Sequence, residues 1–234
     1  MIKAVLLDIE GTTSPIDFVH KTLFPFARER MTAFVQSNFG NLQNEIAELK
    51  SEYKRDFQDQ IYGRKLDEND PQTVVNYLNF LIDVDRKSTP LKSIQGRIWR
   101  DGYESGELKG RVFADVPAAF TRLVSAGTMI AIFSSGSVLA QKLIFKYSDA
   151  GDLTDSIAAF FDTNTGKKRE SASYVSIAHE LGLKTHEILF ISDLVNELDA
   201  AREAGLRTLL SVRPGNGIVK HPIEHDAIGS LLDI

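Results

Sequence analysis

The stretch that decides the fold is Lys3-Ala-Val-Leu-Leu-Asp8-Ile-Glu10-Gly-Thr-Thr13. Residues 4–7 form an unbroken apolar run, which is typical of a strand buried on both faces of a parallel sheet. The run ends on Asp8, which is therefore predicted to lie at the carboxyl end of the strand, where open α/β sheets bind their ligands. Glu10 follows two residues later. Two acids at such a position can hold a cation, with one carboxylate free as a nucleophile and the other as a proton donor.

Length and composition limit the classes of protein to which the chain can belong. Its 234 residues, 43% of them hydrophobic, suffice for a full core, either as one large domain or as a core with an insertion. The net charge is −5 and there is no basic run, which argues against nucleic acid and an anionic membrane surface as partners. The absence of cysteine excludes disulfides and thiolate metal sites. Without a signal-peptide pattern, a membrane-spanning apolar stretch or an exposed heptad pattern, we expect a soluble, cytoplasmic monomer.

Helical patterns replace strand patterns between residues 17 and 108. Helices are predicted over residues 18–39, 41–62, 71–82 and 91–103. Pro25 should kink or interrupt the first of them, because proline lacks the backbone N–H of a helical hydrogen bond. The sequence therefore predicts an all-helical insertion at about residues 15–110.

From residue 112 onward, helix and strand patterns alternate. Strands are predicted over residues 129–133, 157–161, 187–191 and 207–212, and helices over residues 117–126, 138–147, 171–181 and 194–204. This alternation implies right-handed crossovers and a parallel sheet, so that residues 1–14 and 111–234 form an α/β core. The polar strand ends then share one edge of the sheet, which would bring together Asp8, Ser134 and Asp193.

Hydroxyl groups and lysines mark two of the predicted loops at that edge. The hydroxyls of Ser134-Ser135-Gly136 precede a helix start, where they and the free N–H groups can bond a phosphate. Ser135 or Ser137 is equally suited to be an ordinary helix cap. The pair Lys167-Lys168 follows Gly166, and either lysine can neutralise charge that develops in a transition state or belong to a solvated loop.

Two further acids follow the strand predicted at 187–191. Asp193 suits a hard-cation ligand, whereas Glu197, one helical turn later, can orient Asp193 or a coordinated water, or lie on the helix surface. These residues together predict phosphoryl transfer, in which Mg²⁺ bridges Asp8, Asp193 and a phosphate. Asp8 would attack phosphorus and form an aspartyl-phosphate. Glu10 would protonate the leaving oxygen and then take a proton from the water that hydrolyses the intermediate.

These features resemble, in order, the four sequence motifs of the haloacid dehalogenase superfamily of phosphatases. That resemblance implies a Rossmann-like parallel sheet core with an inserted all-helical cap domain. Most phosphatases of the superfamily carry aspartate where this chain has Glu10. Within the superfamily, the chain resembles the enolase-phosphatase family. The similar segments include Asp8-Ile-Glu-Gly-Thr-Thr13, Asp85-Arg-Lys87, Trp99-Arg100, Phe113-Ala-Asp-Val116, Phe133-Ser-Ser-Gly-Ser-Val138, Ala140-Gln-Lys-Leu143 and Val212-Arg-Pro-Gly-Asn216.

The resemblance to the enolase-phosphatases implies a specific reaction in methionine salvage. The substrate would be a small phosphate ester, 2,3-diketo-5-methylthiopentyl-1-phosphate, which is enolised and then dephosphorylated to the acireductone. One Mg²⁺ per subunit is implied, bound by the carboxylates of Asp8 and Asp193 and by the backbone carbonyl of Glu10.

The resemblance also implies the contacts to the phosphate. These are Ser134, Ser135 and Lys168, and Lys168 is preferred to Lys167 because its spacing to Glu170-Ser171 fits the family. The implied catalytic residues are Asp8, Glu10 and Lys168.

Several alternatives stay open. The base for enolisation is Glu10, His20 or a residue that the sequence does not mark. The candidates for binding the diketone are Arg86, Lys87, Arg97, Trp99 and Arg100, each of which also suits a helix surface or the core of the cap. The rival functions are a phosphatase for another small ester and a catalytically silent binding protein. His221-Pro-Ile-Glu-His225 spaces two histidines as zinc sites do, but it lacks the adjacent glutamate and a third ligand, so no zinc site is predicted.

Overall fold

The computed structural model describes residues 1–217 and 224–234. The chain divides into two compact units, one formed by Met1–Val19 with Lys109–Ile234 and the other by His20–Leu108. The sequence analysis placed the two boundaries after residues 14 and 110.

The elements of the described residues are as follows. The strands are β1 (Ala4–Leu7), β2 (Met129–Phe133), β3 (Ala159–Phe161), β4 (Ile188–Ser192), β5 (Arg207–Ser211) and β6 (Ala227–Ile228). The helices are α1 (Ile16–Phe18), α2 (Phe24–Asn38), α3 (Gln43–Gln58), α4 (Pro71–Asp83), α5 (Thr89–Glu104), α6 (Val116–Ser125), α7 (Val138–Lys146), α8 (Ser171–Glu180) and α9 (Val195–Glu203).

The first unit is built on a six-stranded sheet in the order β3-β2-β1-β4-β5-β6. Every pair of neighbouring strands is parallel, which confirms the predicted α/β fold. β1 lies in the middle, and its last residue, Leu7, pairs with Ile132 of β2 and Ile191 of β4. The residue after each of these strands therefore lies at the same edge of the sheet. β6 was not predicted, because two residues are too short to show a strand pattern.

The centre of the sheet is buried by aromatic residues from both strands and helices. The ring of Tyr174, on α8, lies 5.6 Å from that of Phe133 on β2 and 5.1 Å from that of Phe190 on β4. All three side chains are fully buried. This packing fixes α8, and with it the loop that precedes α8, against the middle of the sheet.

The second unit is helical, as the sequence predicted. Asp70 caps α4 through the N–H of Gln72, and Ser88 caps α5 through the N–H of Leu91. The predicted helix over 18–39 is interrupted, because a π-helical turn at Val19–Leu23 precedes α2. Pro25 lies in the first turn of α2, where its missing N–H costs no helical hydrogen bond.

A buried carboxylate organises one end of the helical unit. Asp56 accepts hydrogen bonds from the Tyr77 hydroxyl at 2.8 Å and from Arg86 at 3.1 Å. Burial, together with this bond to Asp56, raises the pKa of Tyr77. Arg86, a candidate for binding the diketone, thus neutralises an acid of its own unit.

None of the helices in residues 1–217 and 224–234 combines the length and the apolar character that crossing a membrane requires.

Replacing Gly110 with alanine should destabilise the first unit. A Cβ at Gly110 would lie 2.1 Å from the backbone oxygen of Ile144, which cannot swing away as a side chain would. We expect Gly110→Ala to lower the free energy of unfolding by about 1–3 kcal/mol, measured by urea denaturation. The matched control is Gly229→Ala, because nothing lies within 4 Å of a Cβ there. Equal stability of the two variants would contradict this close approach.

Candidate active site

Asp8 lies immediately after β1, at the carboxyl edge of the sheet. Its N–H donates to the oxygen of Ile191 at 3.0 Å, which ties it to the end of β4. Its Oδ1 accepts the N–H of Ile9 at 2.7 Å, and its backbone oxygen accepts the Thr13 hydroxyl at 3.1 Å. These bonds fix a buried carboxylate at the sheet edge.

Four buried side chains form a closed ring of polar contacts around that carboxylate. The ammonium group of Lys168 lies 2.7 Å from Oδ1 of Asp8 and 2.5 Å from Oε2 of Glu197. The Ser192 hydroxyl lies 3.1 Å from Oδ2 of Asp8 and 3.0 Å from Oε2 of Glu197, which closes the ring. It also accepts the N–H of Leu194 at 3.2 Å. Because a hydroxyl has one proton, Ser192 donates to only one of the two carboxylates at a time.

The loop before α8 brings one of the two candidate lysines into this ring. The Tyr174 hydroxyl donates to the backbone oxygen of Lys168 at 2.6 Å, and that of Ser173 donates to the backbone oxygen of Lys167 at 2.7 Å. The side chain of Lys168 is 8% exposed, whereas that of Lys167 is 79% exposed and pairs with Glu170. Burial lowers the pKa of Lys168, but its carboxylate neighbours outweigh burial, and the net pKa lies above the ordinary value.

Asp193 is a third carboxylate near the ammonium group of Lys168, after Asp8 and Glu197. Burial and then the charge of Asp8 raise the pKa of Asp193 to about 7, an effect that Lys168 opposes and Glu197 reinforces. Oδ2 of Asp193 lies close above Gly11, where a Cβ would be only 2.5 Å from it. Gly11 also has a positive φ of 70°, so glycine is required here on both grounds. With the three carboxylates of Asp8, Asp193 and Glu197 around the one ammonium group of Lys168, this group of side chains has an excess of ionisable acids.

This donor set fits Mg²⁺. The ion prefers oxygen ligands and is usually held by one or two carboxylates together with substrate phosphates. Asp8 and Asp193 are two such carboxylates, and their excess negative charge is what a cation would neutralise. Within the described part of the chain, no three or more acidic or histidine side chains are grouped as a complete metal cage. The residues thus suit a site with two carboxylate ligands.

The predicted phosphate loop follows β2. The N–H of Ser134 donates to the backbone oxygen of Phe161, and the Ser134 hydroxyl accepts the N–H of Gly136 at 3.1 Å. Ser137, not Ser135, caps α7. The side-chain amide of Gln141 donates at 2.8 Å to the oxygens of both Gly136 and Phe161. The buried Gln141 therefore clamps the loop to the end of β3.

The start of α7 is also held by an acid from the neighbouring strand end. Asp162, directly after β3, accepts the N–H of Val138 at 3.2 Å and that of Asn164 at 2.8 Å. Together with the N–H of Ala140, which donates to the Ser137 hydroxyl, two N–H groups of the helix start are thus already bonded within the protein.

Two other predicted residues lie at this edge of the sheet. Glu10 and Ser135 are partly buried and follow β1 and β2 at the same sheet edge as Asp8. Glu197 does not lie on the helix surface, since it is buried, and its contacts are Lys168 and Ser192 rather than Asp193. The geometric reason is the buried ammonium group, which attracts the carboxylate of α9 inward.

Ser192 and Gln141 received no chemical role from the sequence. A serine directly before a strand-end aspartate and a glutamine on an otherwise apolar helix face are the signals that could have found them. Neither signal shows which group the side chain bonds.

The candidate residues of the helical unit have partners within that unit. Trp99 donates to the oxygen of Leu23 at 2.8 Å and stacks on Phe24. His20 is exposed and meets Phe24 edge-on. The remaining pairs are Lys87 with Asp85, Arg97 with Glu45 and Arg100 with Asp101.

The histidine pair at 221–225 falls partly outside the described residues, since His221 is not among them. His225 is buried, with Nδ1 2.8 Å from the Thr208 hydroxyl and Nε2 3.1 Å from Asp199. Both of its ring nitrogens thus have partners within the protein.

The fold agrees with what similarity to known proteins shows. The sequence model of the haloacid dehalogenase-like hydrolases matches residues 2–205. The chain belongs to this family of hydrolases.

Its relatives define a narrower group. The chain is 53% identical to enolase-phosphatase E1 of Leptospira borgpetersenii serovar Hardjo-bovis over 212 residues, which cover 90% of this chain and 89% of that protein. It is 50% identical to enolase-phosphatase E1 of Synechococcus elongatus over 221 residues, which cover 94% and 92%. Within the hydrolases, it is a member of the enolase-phosphatase E1 family. The crystal structure of the UTR4 protein from Saccharomyces cerevisiae matches with a TM-score of 0.80 and 34% identity over 98% of each chain. The predicted family resemblance is thereby confirmed.

Replacing Asp193 with asparagine should stabilise the metal-free protein at alkaline pH. A carboxyl with a pKa of about 7 when folded, against an ordinary value of 3.8, binds its proton more tightly in the folded state. Ionising it therefore costs stability as the pH rises from about 4 to about 7. Because the side chain is partly exposed, we expect Asp193→Asn to gain about 1–3 kcal/mol at pH 8 and less at pH 5.

The measurement is urea unfolding in the presence of a chelator at both pH values. Asp155→Asn, which removes an exposed acid of the same unit, is the control. A gain at pH 5 as large as that at pH 8 would contradict the raised pKa.

Proposed function

We propose that the chain is a Mg²⁺-dependent enolase-phosphatase. It converts 2,3-diketo-5-methylthiopentyl-1-phosphate to the acireductone and phosphate, and the phosphate leaves through an aspartyl-phosphate on Asp8. The observation that carries this proposal is the buried ring in which Lys168 holds Asp8, with Asp193 beside it. The enzyme works as a monomer in the cytoplasm, with neither nucleic acid nor membrane as a partner.

Asp8 is the nucleophile. A carboxylate oxygen of Asp8 forms a bond to phosphorus while the bond from phosphorus to the ester oxygen breaks, and Glu10 gives that oxygen its proton. Glu10 then takes a proton from water, whose oxygen attacks phosphorus and frees the Asp8 carboxylate. Phosphate-ester hydrolysis is among the slowest uncatalysed reactions, so most of the catalysis lies in positioning and charge stabilisation.

Two positively charged groups would act on the negative oxygens of the transferring phosphoryl group. Lys168 is held by Asp8 and Glu197 within reach of any group bonded to Asp8. Asp8, Asp193 and the backbone carbonyl of Glu10 would hold Mg²⁺, which would supply a further positive charge to the site. Both charges favour the transition state, in which negative charge spreads over the phosphoryl oxygens.

The loop after β2 binds the phosphate oxygens through the hydroxyls of Ser134 and Ser135. Gln141 holds this loop against β3, so the hydroxyls are fixed before the substrate arrives. Such preorganisation lowers the cost of orienting the donors during the reaction.

Enolisation precedes phosphate transfer and needs a base beside a carbon acid. Glu10 is the carboxylate that we assign to this step, since it follows β1 at the same sheet edge as Asp8. The rival function is a phosphatase for another small ester, which would use the same ring and loop without enolisation.

The decisive experiment gives the purified protein the diketo-phosphate with Mg²⁺ and follows phosphate release and enediol absorbance together. Both signals should rise, and chelator or Asp8→Asn should abolish phosphate release because the metal or the nucleophile is lost. An enediol-phosphate that accumulates with Asp8→Asn would separate the two steps. Cleavage of a generic aryl phosphate but not of this substrate would favour the rival phosphatase. Phosphate release from neither ester would favour a binding protein without catalytic activity.

The two adjacent lysines provide a matched pair of variants. Lys168→Met should lower kcat by about 10²–10³-fold, since it removes a positive charge aimed at the phosphoryl group. Lys167→Met should leave kcat within about twofold, because that side chain is exposed and pairs only with Glu170. Steady-state phosphate release checks both, with circular dichroism to show that each variant is folded. A larger loss with Lys167→Met would reverse the assignment.

A further inference from the structure

The loop after β5 brings one more polar side chain to the site. Nδ2 of Asn216 donates to the backbone oxygen of Gly11 at 2.9 Å and to that of Ser211 at 3.1 Å. Both partners are acceptors, so the amide can only have its nitrogen directed toward them. The opposite atom, Oδ1, is therefore an acceptor whose position is fixed.

Oδ1 of Asn216 is buried, and among the described residues it has no hydrogen-bond partner. Buried acceptors are nearly always bonded, and leaving one unbonded lowers stability. A donor other than the described residues would satisfy this atom, because those residues supply none.

The position of Oδ1 points to what that donor is. A Cβ on Gly11 would lie 2.9 Å from Oδ1 of Asn216 and 2.5 Å from Oδ2 of Asp193. The two oxygens thus border the same space above the Cα of Gly11. Asp193 is an implied ligand of Mg²⁺, so Oδ1 of Asn216 lies beside the place where the ion would bind.

We propose that Asn216 is a further residue of the metal centre, whose Oδ1 accepts a hydrogen bond from the hydration shell of the bound Mg²⁺. This inference rests on the proposed function, which supplies the ion. Mg²⁺ gives up its waters reluctantly and polarises those that it keeps, so they are strong donors. A carboxylate that binds the ion, such as Asp193, has no proton to donate, whereas a water on the ion has two. Asn216 is then a positioning residue that acts through water.

The test separates the acceptor from the tether that the same side chain provides. Asn216→Ala removes both Oδ1 and the bond to Gly11. Ser211→Ala is the matched control, because the Ser211 hydroxyl also donates to the Gly11 oxygen, at 3.0 Å, but presents no acceptor to the site. Asn216→Ser is a second variant, in which a hydroxyl replaces the amide and is too short to reproduce the position of Oδ1.

Mg²⁺ alone is the probe, titrated calorimetrically into the metal-free full chain without substrate. We expect Asn216→Ala and Asn216→Ser to raise the Kd for Mg²⁺ by about 10–100-fold, the usual effect of removing an outer-shell partner. Ser211→Ala should leave the Kd within about twofold. Melting temperatures of the metal-free variants show whether each one is folded.

The outcomes separate this inference from the function on which it rests. Suppose that the wild type binds Mg²⁺ and that Asp193→Asn abolishes this binding. An unchanged Kd in folded Asn216→Ala then overturns the role of Asn216 but not the metal site. An equal loss with Ser211→Ala and Asn216→Ala assigns the effect to the Gly11 tether and also overturns it. If the wild type does not bind Mg²⁺, or binds it no more tightly than Asp193→Asn does, the metal site itself is overturned.

Discussion

The site depends on one buried ammonium group that faces more negative charge than it can neutralise. Lys168 contacts Asp8 and Glu197 directly, while burial and then the charge of Asp8 raise the pKa of Asp193 to about 7. A buried pair is stable only if its remaining hydrogen-bonding capacity is met, and the Ser192 hydroxyl meets part of it. The surplus charge destabilises the metal-free protein and favours a bound cation. Affinity for a cation and strain in the metal-free site thus have the same cause.

The sheet makes this concentration of charge possible. β1 is flanked by β2 and β4 in register, so the residues after these strands meet at one edge although they lie far apart in the sequence. The N–H of Asp8 bonds to Ile191, which fixes Asp8 against the strand that carries Ser192. Aromatic packing of α8 against β2 and β4 fixes the loop before α8, and this loop positions Lys168 at the same edge of the sheet. The cost of burying like charges is offset by the large apolar core beneath them.

Much of the fold and part of the site could be predicted from the sequence, and the remainder shows what patterns omit. Strand runs that end on Asp8, Ser134 and Asp193 predicted the sheet edge, because parallel strands share their carboxyl ends. The roles of Ser192, Gln141 and Asn216 could not be predicted, since each depends on the direction of one side chain toward backbone or carboxylate partners distant in sequence. Periodicity reports which face is buried but not which atom is bonded. Glu197 was placed beside Asp193 for the same reason, because helical spacing does not reveal the pull of Lys168.

Ser192 also bears on the proposed role of Asp8 as a nucleophile. Oδ1 of Asp8 already accepts two donors, Ile9 and Lys168, whereas Oδ2 has Ser192 as its protein donor in the ring. The hydroxyl has one proton and a second acceptor, Glu197, at a similar distance. When the proton turns toward Glu197, Oδ2 loses this hydrogen bond without any movement of the backbone. The ring therefore holds Asp8 in place through Oδ1 and leaves Oδ2 as the oxygen suited to the proposed attack on phosphorus.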